Sequence, residues 1–372
     1  MNIQTIKHSL VSAVKNLPGK SIGKKVVVIE CDDWGSIGMP SEKAYRKLSA
    51  AGLPVEKSRF YQEDTLEDTP DLEALFTVLR KYQDSRGNHA VMTPFCNMAN
   101  PDFERIKSGG FQEYYPEVFT ETYRRYGRSA RMMDLWRLGI SEGIFVPEYH
   151  GREHIATDLW LRFLREGDAK LRTAFDSGFV CYSPPGLPAQ AKDFRPNFYI
   201  IGDHAREGLR RSMEEGIDLF KTVFGFAPIV FNAPNGVFLP EFNKSLIEKG
   251  VRFNAVPRKR LDRNEDGQYR HRSYVTGHQT AEGMTCYVRN CNFEPTDPAY
   301  KNTDHVVNQI NGAFLCGKAA IIGTHRANFV GGVKVSCRDK GLSELDILLK
   351  RLLKRWPDIE FRSSRQFTDL LL

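Results

Sequence analysis

Residues 25–36 read KVVVIECDDWGS, and this stretch decides the fold. Its first seven residues are β-branched or apolar almost throughout, the pattern of a strand buried on both faces in a parallel sheet rather than one with a wet face. Two adjacent carboxylates, Asp32 and Asp33, stand where that strand emerges. Outward from it, strand-like runs recur at 90–95, 144–149, 179–182, 229–232, 252–256, 285–289, 319–323 and 359–361. Helical periods fall between them at 41–51, 71–82, 150–166, 206–224, 240–249, 304–316 and 342–356. Such alternation predicts a parallel α/β arrangement with right-handed crossovers. The polar residues cluster just after strands, at the carboxyl edge where α/β folds build their sites.

The chain has 372 residues, 41% hydrophobic and 27% charged, ample for a large core, and disorder is excluded as its default state. Its net charge of +7 comes from lysines and arginines spread along the chain, which argues against a dedicated nucleic-acid surface. The densest basic run, 258–263 with Arg270 and Arg272, is interrupted by Asp262, Glu265 and Asp266 and holds few aromatics to stack on bases. It reads as a solvated loop or a site for an anionic substrate. Seven cysteines form no C-x-x-C pair, so neither a disulfide framework nor a zinc ribbon is indicated, and they read as reduced. Polar residues break the first 20 positions every few places, and no run of about 18 apolar residues occurs. The expectation is a cytoplasmic protein with no membrane partner.

One domain over 1–372 accommodates all of this. Apolar residues at Ile3, Ile6, Leu10, Val14 and Leu17 predict an N-terminal docking helix within 1–20, ended by Pro18 and Gly19. Residues 102–143 are rich in aromatics and arginine and too long for a simple crossover, and are expected to form a helical insertion or lid. The polar run 257–278 is a loop or hairpin. No internal repeat, low-complexity segment or phosphate-binding glycine pattern occurs, which removes the Rossmann and P-loop readings.

Three strand ends hold the residues able to do chemistry. At Asp32-Asp33, neighbouring side chains point in different directions, so one carboxylate can hold a metal while the other handles a proton; the alternative is a turn cap before Gly35. Tyr149-His150-Gly151-Arg152-Glu153-His154 is read as the start of a helix, where residues four apart share a face and both imidazoles can converge on one ion. Among nine histidines this is the one pair at that spacing; the alternative is two surface or capping histidines. Glu153 stands next to the second histidine, the wrong order for an H-E-x-x-H enzyme, and is not assigned as a base. The third end, Ile321 through Arg326, terminates in His325. A lone histidine is usually structural, but beside two carboxylates and a histidine pair it supplies a further proton carrier.

In these segments the chain resembles the polysaccharide deacetylase superfamily, the NodB-homology group of metal-dependent carbohydrate esterases, over most of residues 25–367. The resemblance implies an α/β fold, a distorted (β/α) barrel of about seven parallel strands. It implies Asp32 as catalytic base, Asp33, His150 and His154 as metal ligands, and His325 as general acid. Asn232-Ala233-Pro234-Asn235-Gly236 matches the family's R-x-P-x-G segment, so Asn232, Pro234 and Asn235 are expected at the substrate, together with Trp34, Arg289 and Asn290. Three positions depart from the family pattern. Trp34 stands in place of a glycine, Gly151 in place of Ser or Thr, and Asn232 in place of the arginine that steadies the catalytic aspartate. Arg289, near a strand end, is the candidate to replace that charge. The family's aspartate-tryptophan segment has no clear counterpart; residues 289–294 sit about where it belongs.

The implied function is metal-dependent hydrolysis of an acyl group, an acetyl first of all, from an amide or ester of a sugar or related small molecule. Two imidazoles and a carboxylate suit zinc first, with iron, cobalt, manganese or nickel also acceptable. The expected partner is a small-molecule or carbohydrate substrate, no nucleic acid and no membrane, with a homo-oligomer allowed. Two other readings stand beside it: a non-catalytic carbohydrate-binding protein on the same fold, and a metal-dependent glycosidase, which needs two carboxylates flanking a bond. The aromatics Trp34, Tyr149 and those of 111–136 either wall a sugar site or pack against the barrel, and packing is the first expectation.

Overall fold

The computed structural model describes residues 12–188, 191 and 193–372. Its centre is a set of parallel strands. The first, β1 (Val26–Trp34), is buried along its whole length, as its run of Val and Ile requires. It is followed by β2 (Met92–Cys96), β3 (Glu148–Tyr149), β4 (Val230–Asn232), β5 (Phe253–Val256), β6 (Thr285–Val288), β7 (Cys291–Asn292) and β8 (Ala320–His325). Neighbours pair in the order β6-β5-β4-β3-β2-β1-β8-β7, every pair parallel.

The two ends of that path, β6 and β7, are separated in the chain only by Arg289 and Asn290. Their backbone amides reach in opposite directions, Arg289 to the carbonyl of Val256 and Asn290 to that of Ile321, both at 3.1 Å. One kinked strand therefore touches both edges of the sheet and curls it into a distorted barrel of seven staves, the fold class expected from the sequence. Glu360–Phe361 adds a parallel strand beside the start of β1, and His278–Gln279 an antiparallel one outside β6.

Helices cover the outside, each with an apolar stripe at helical spacing. Leu72, Leu75, Phe76 and Leu79 of Thr69–Arg80 pack in one core with Met213, Ile217 and Phe220 of Arg206–Phe224 and with Leu345, Leu348, Leu349 and Leu352 of Val335–Arg355. Thr69–Arg80 opens with a capping box between Asp68 and Asp71. Arg206–Phe224 stops at Gly225, which takes φ +79 as a left-handed cap.

Several sequence expectations are revised. Residues 150–156 are not helical; the helix begins at Thr157 (Thr157–Glu166). Residues 179–182 form no strand but a loop buried among Tyr61, Phe175 and Phe194. Segment 102–143 holds three helices, Phe103–Ser108, Phe119–Arg125 and Met132–Ser141, and a short strand Pro116–Val118 paired antiparallel with Ala99–Pro101. Its Phe119, Tyr123 and Trp136 are buried in the main core. Residues 257–278 contain a hairpin, Lys259–Arg263 with Tyr269–Ser273. Of the apolar face expected in the N-terminal helix, Ile3, Ile6 and Leu10 lie outside the described residues, while Val14 and Leu17 are exposed at 64% and 66%. All seven cysteines are unpaired. Among the described residues no helix is long and apolar enough to cross a membrane.

Candidate active site

Asp32 and Asp33 would point to opposite faces of a regular strand. β1 is irregular there: its register with β2 slips between Cys31 and Trp34, and Asp33 takes φ +77. A bulge of this kind re-aims a side chain, and a left-handed non-glycine residue costs of order 1 kcal/mol, strain that clusters at functional sites. Ser36 closes the turn by donating its amide (3.3 Å) and hydroxyl (2.7 Å) to the Asp33 carbonyl. Gly35 (φ +79) admits no side chain, since a Cβ there would lie 2.4 Å from the Asn97 carbonyl oxygen. The loop is fixed from below by Arg326, fully buried, which forks onto Asp64 at 3.0 Å and donates to Glu67 and the Ser36 carbonyl at 2.7 Å.

The histidine pair converges through a loop rather than a helix face. Gly151, at φ +111, turns the chain sharply after β3, and a Cβ there would meet Asn197 Nδ2 at 2.8 Å, which explains a glycine at this position. His150 is anchored by its amide to the Cys96 carbonyl (2.9 Å) and by its carbonyl, which accepts from Asn97 Nδ2 (3.1 Å). His150 Nδ1 lies 2.8 Å from the Asn232 carbonyl, an acceptor only, so Nδ1 carries the proton and Nε2 a lone pair. That Nε2 is buried, has no hydrogen-bond partner, and lies 3.4 Å from Asp33 Oδ1; His154 Nε2 lies 3.0 Å from the same oxygen. Two electron-rich atoms, an imidazole nitrogen and a carboxylate oxygen, thus face each other in a buried place. A ligand atom from each of Asp33, His150 and His154 falls within 4.8 Å of the others. The donor set and the orphaned nitrogen fit a divalent cation, with the Asn232 carbonyl orienting one ligand from behind. Burial opposes ionisation of Asp33, but the His154 imidazole outweighs it and holds the carboxyl well below its usual range.

Asp32 has a different setting. Arg289, at the kink between β6 and β7, forks onto it with Nη1–Oδ2 at 2.5 Å and Nη2–Oδ1 at 2.7 Å. Its Nε donates to Glu30 (2.6 Å), which also accepts from Tyr287 and Ser364. Burial works against the Asp32 carboxylate, yet Arg289, ahead of His325, keeps it below the ordinary carboxylate range. The guanidinium on Asp32 therefore comes from the kink between β6 and β7 and not from position 232 at the end of β4. Asn232 itself donates Nδ2 to the Ala255 carbonyl at 2.7 Å.

His325, the last residue of β8, pairs in register with Asp32. Its Nδ1 lies 2.6 Å from Glu294 Oε1, and its Nε2 is 3.9 Å from Asp32 Oδ2. Glu294 is held by Arg59 and by Asn328 Nδ2 (2.7 Å). Burial disfavours the imidazolium, but Glu294 outweighs it and the His325 pKa is pushed up to about 9. The ring is charged at neutral pH, with Nε2–H directed away from Glu294.

Glu294, Glu30 and Arg326 were not singled out from the sequence. The available signal was a charged residue inside or just after an apolar strand, which is costly unless paired. Of the expected substrate contacts, Asn232, Asn235, Arg289 and Asn290 line one cleft of about 590 Å³ with Asp32 and His325. Asn290 is committed to the backbone there, through Ala319 and Ile321. Two expectations are corrected: Trp34 is fully buried, edge-on to Phe145 (4.9 Å) and Trp136 (6.2 Å), and Pro234 is buried in the turn and lines neither cavity beside the site. Tyr149 is likewise core, its hydroxyl donating to the Met213 carbonyl at 2.8 Å. No residue of 102–143 lines either cavity. The second cavity, narrower, lies on the Asp33 and His154 side with Phe60, Val180 and Arg195.

No protein-family model and no curated protein sequence matches this chain. Among solved structures, it is similar to a candidate polysaccharide deacetylase from Mycobacterium smegmatis, at 11% identity over 95% of this chain and 94% of that one, with a TM-score of 0.45. A family 4 acetyl xylan esterase from Clostridium thermocellum, in complex with cobalt, shares 12% identity over 93% and 90% of the two chains, with a TM-score of 0.37. The α-amylase AmyC from Thermotoga maritima shares 9% over 93% of this chain and 74% of its own, with a TM-score of 0.44.

Proposed function

We propose that this protein is a metal-dependent deacylase that hydrolyses an N-acyl or O-acyl group, an acetyl first, from a sugar or related small molecule. The observation that carries this reading is the meeting of the bulged Asp33 with two imidazoles, each with one nitrogen orphaned, while a separately neutralised carboxylate and a charged imidazole stand beside them.

Asp33, His150 and His154 would hold the cation. When bound, such an ion lowers the pKa of a water and polarises the acyl oxygen; zinc suits the ligands, and iron, cobalt, manganese or nickel are chemically acceptable. The rest falls to side chains of the chain. Asp32, ionised throughout the neutral range, accepts a proton from the attacking water as the new carbon–oxygen bond forms. Arg289 keeps that carboxylate in place and charged. His325, protonated through its pairing with Glu294, gives the Nε2 proton to the leaving nitrogen or oxygen as the acyl bond breaks. The products are a carboxylate and a free amine or alcohol. The base and the acid face one cleft from adjacent strands, an arrangement suited to opposite ends of a single displacement.

The test is acid release from a panel of N-acetylated and O-acetylated sugars and simple acyl amines, with zinc, cobalt, manganese, nickel or ferrous ion supplied. Turnover that disappears on chelation and returns with one of these ions supports the reading. Turnover indifferent to chelation, or none with any ion and any acyl compound, contradicts it.

A further inference from the structure

The hairpin Lys259–Arg263/Tyr269–Ser273 stands at the rim of the cleft that holds Asp32 and His325, and its alternation sorts its charges. Arg260 and Asp262 point inward, where they are buried at 1% exposure and pair with each other. Lys259 and Leu261 lie on the other face by the strand's period of two, and His271 sits directly across from Leu261. All three line the cleft, and so does Arg258, just ahead of the hairpin.

The two cations Arg258 and Lys259 have no counter-charge among the described residues. Arg258 donates only to the Lys15 carbonyl and, at 3.4 Å, to the Asn16 amide oxygen. Neither it nor Lys259 nor His271 forms an ion pair among the described residues, in a protein where most arginines near a cavity do. Among the described residues lining this cleft, Asp32 is the one carboxylate, and Arg289 already neutralises it. The side chains of Asn235 and Asn292 add amide donors on the same walls, with no side-chain hydrogen bond among the described residues. A half-buried guanidinium without a carboxylate, a lysine beside it, and neutral donors across the gap form a receptor for anionic oxygens. The narrower cavity on the Asp33 side is unlike it, being lined by Asp33, Asp64 and Glu153 and by an arginine, Arg195, that is already paired with Asp193.

We infer that this cleft binds an anionic substituent of the substrate, a phosphate or a sugar carboxylate, with Arg258 and Lys259 as the residues that select it. The inference rests on the proposed deacylase reading for its placement beside the reacting group, but its binding part stands apart from turnover. Arg258 and Lys259 of the basic run are thereby assigned to substrate selection, while Arg260 and Arg263 pair with Asp262 and Asp203.

Binding is measured first by calorimetry with glucose, glucose 6-phosphate, glucuronate and inorganic phosphate, none of which carries an acyl group. The expected result is that glucose 6-phosphate or glucuronate binds at least tenfold tighter than glucose, weakens as salt rises, and loses that advantage in Lys259→Glu and Arg258→Gln. Comparison of the phosphate and carboxylate sugars tells which anion the site prefers. The Lys259 side chain is exposed and forms no ion pair among the described residues, so its variant keeps the fold. Equal binding of glucose and the anionic sugars, an advantage retained in both variants, or binding of inorganic phosphate as tight as of the sugar phosphate (an adventitious ion only) overturns the inference. The second measurement is kcat/KM on N-acetylglucosamine and its 6-phosphate. Anion-selective binding without acid release from either would sink the deacylase reading and leave the anion site standing; acid release with no preference for the phosphate, and no loss in Lys259→Glu, sinks the anion site and leaves the deacylase.

Discussion

Asp32 and Asp33 are neighbours in the chain and opposites in their surroundings. Both oxygens of Asp32 are taken by a guanidinium that is itself anchored by Glu30, so this half is electrostatically complete in the folded chain. Asp33 shares an oxygen with two imidazoles, one of which turns a buried, partnerless nitrogen toward it. Buried polar groups are ordinarily paired, and unpaired ones that converge on one point mark a place for something else to bind. The difference separates a group tuned by the protein alone, Asp32, from a group set where a cation fits, Asp33.

The largest effect that sharpens this contrast is expected from Asp32→Asn. It should keep the ion and lower acid release by roughly 10²–10⁴-fold, the range for losing a positioned base. Turnover within a few-fold of the parent would remove Asp32 from its role. Next, Arg289→Met leaves Asp32 and Glu30 buried without their shared cation. Burial is then unopposed and the Asp32 pKa rises, so the acid limb of the rate profile should move to higher pH and kcat fall by about one to two orders of magnitude. The same variant should lose about 3–5 kcal/mol of stability, measured by denaturant unfolding, because two carboxylates lose one partner. An unmoved acid limb would break the claim that Arg289 does the work of the missing arginine.

A smaller effect is expected at His325. In the folded chain its pKa lies at about 9 against an ordinary 6.5, so activity should fall on the alkaline side near 9. Its pairing with Glu294 stabilises the fold fully below about 6.5 and ceases to do so as pH rises through about 9. Glu294→Gln should move the alkaline limb down by a unit or more; an unmoved limb means another group titrates there. The smallest effect on turnover belongs to Trp34→Phe. This side chain is core, so KM and kcat should stay within about twofold while stability falls by about 1–3 kcal/mol. A raised KM with unchanged stability would return Trp34 to the substrate.

Much of this was legible before any coordinates. The apolar run of β1 and the alternation of strands and helices predict a parallel α/β fold with Asp33, His150 and His325 at strand ends, while the barrel and the grouping of these residues with His154 come from the family resemblance. The route to the histidine pair was not legible: four-residue spacing suggested a helix face, whereas Gly151 and its positive φ converge the two rings through a loop. Periodicity counts residues and cannot see a dihedral angle. The bulge at Asp33 was hidden for the same reason, since an isolated strand pattern assigns adjacent residues to opposite faces. Glu294, Glu30 and Arg326 escaped because ion pairs across some 30 to 260 residues leave no local pattern. Trp34 was misplaced because an aromatic beside a catalytic aspartate looks like a sugar contact until its burial is known.

The most direct measurement is metal content per chain in the purified protein and in Asp33→Ala and His150→Ala, each verified as folded by circular dichroism. The account predicts one divalent ion per chain in the parent, and a loss of at least tenfold in affinity in either variant. A full equivalent held by both folded variants would contradict it.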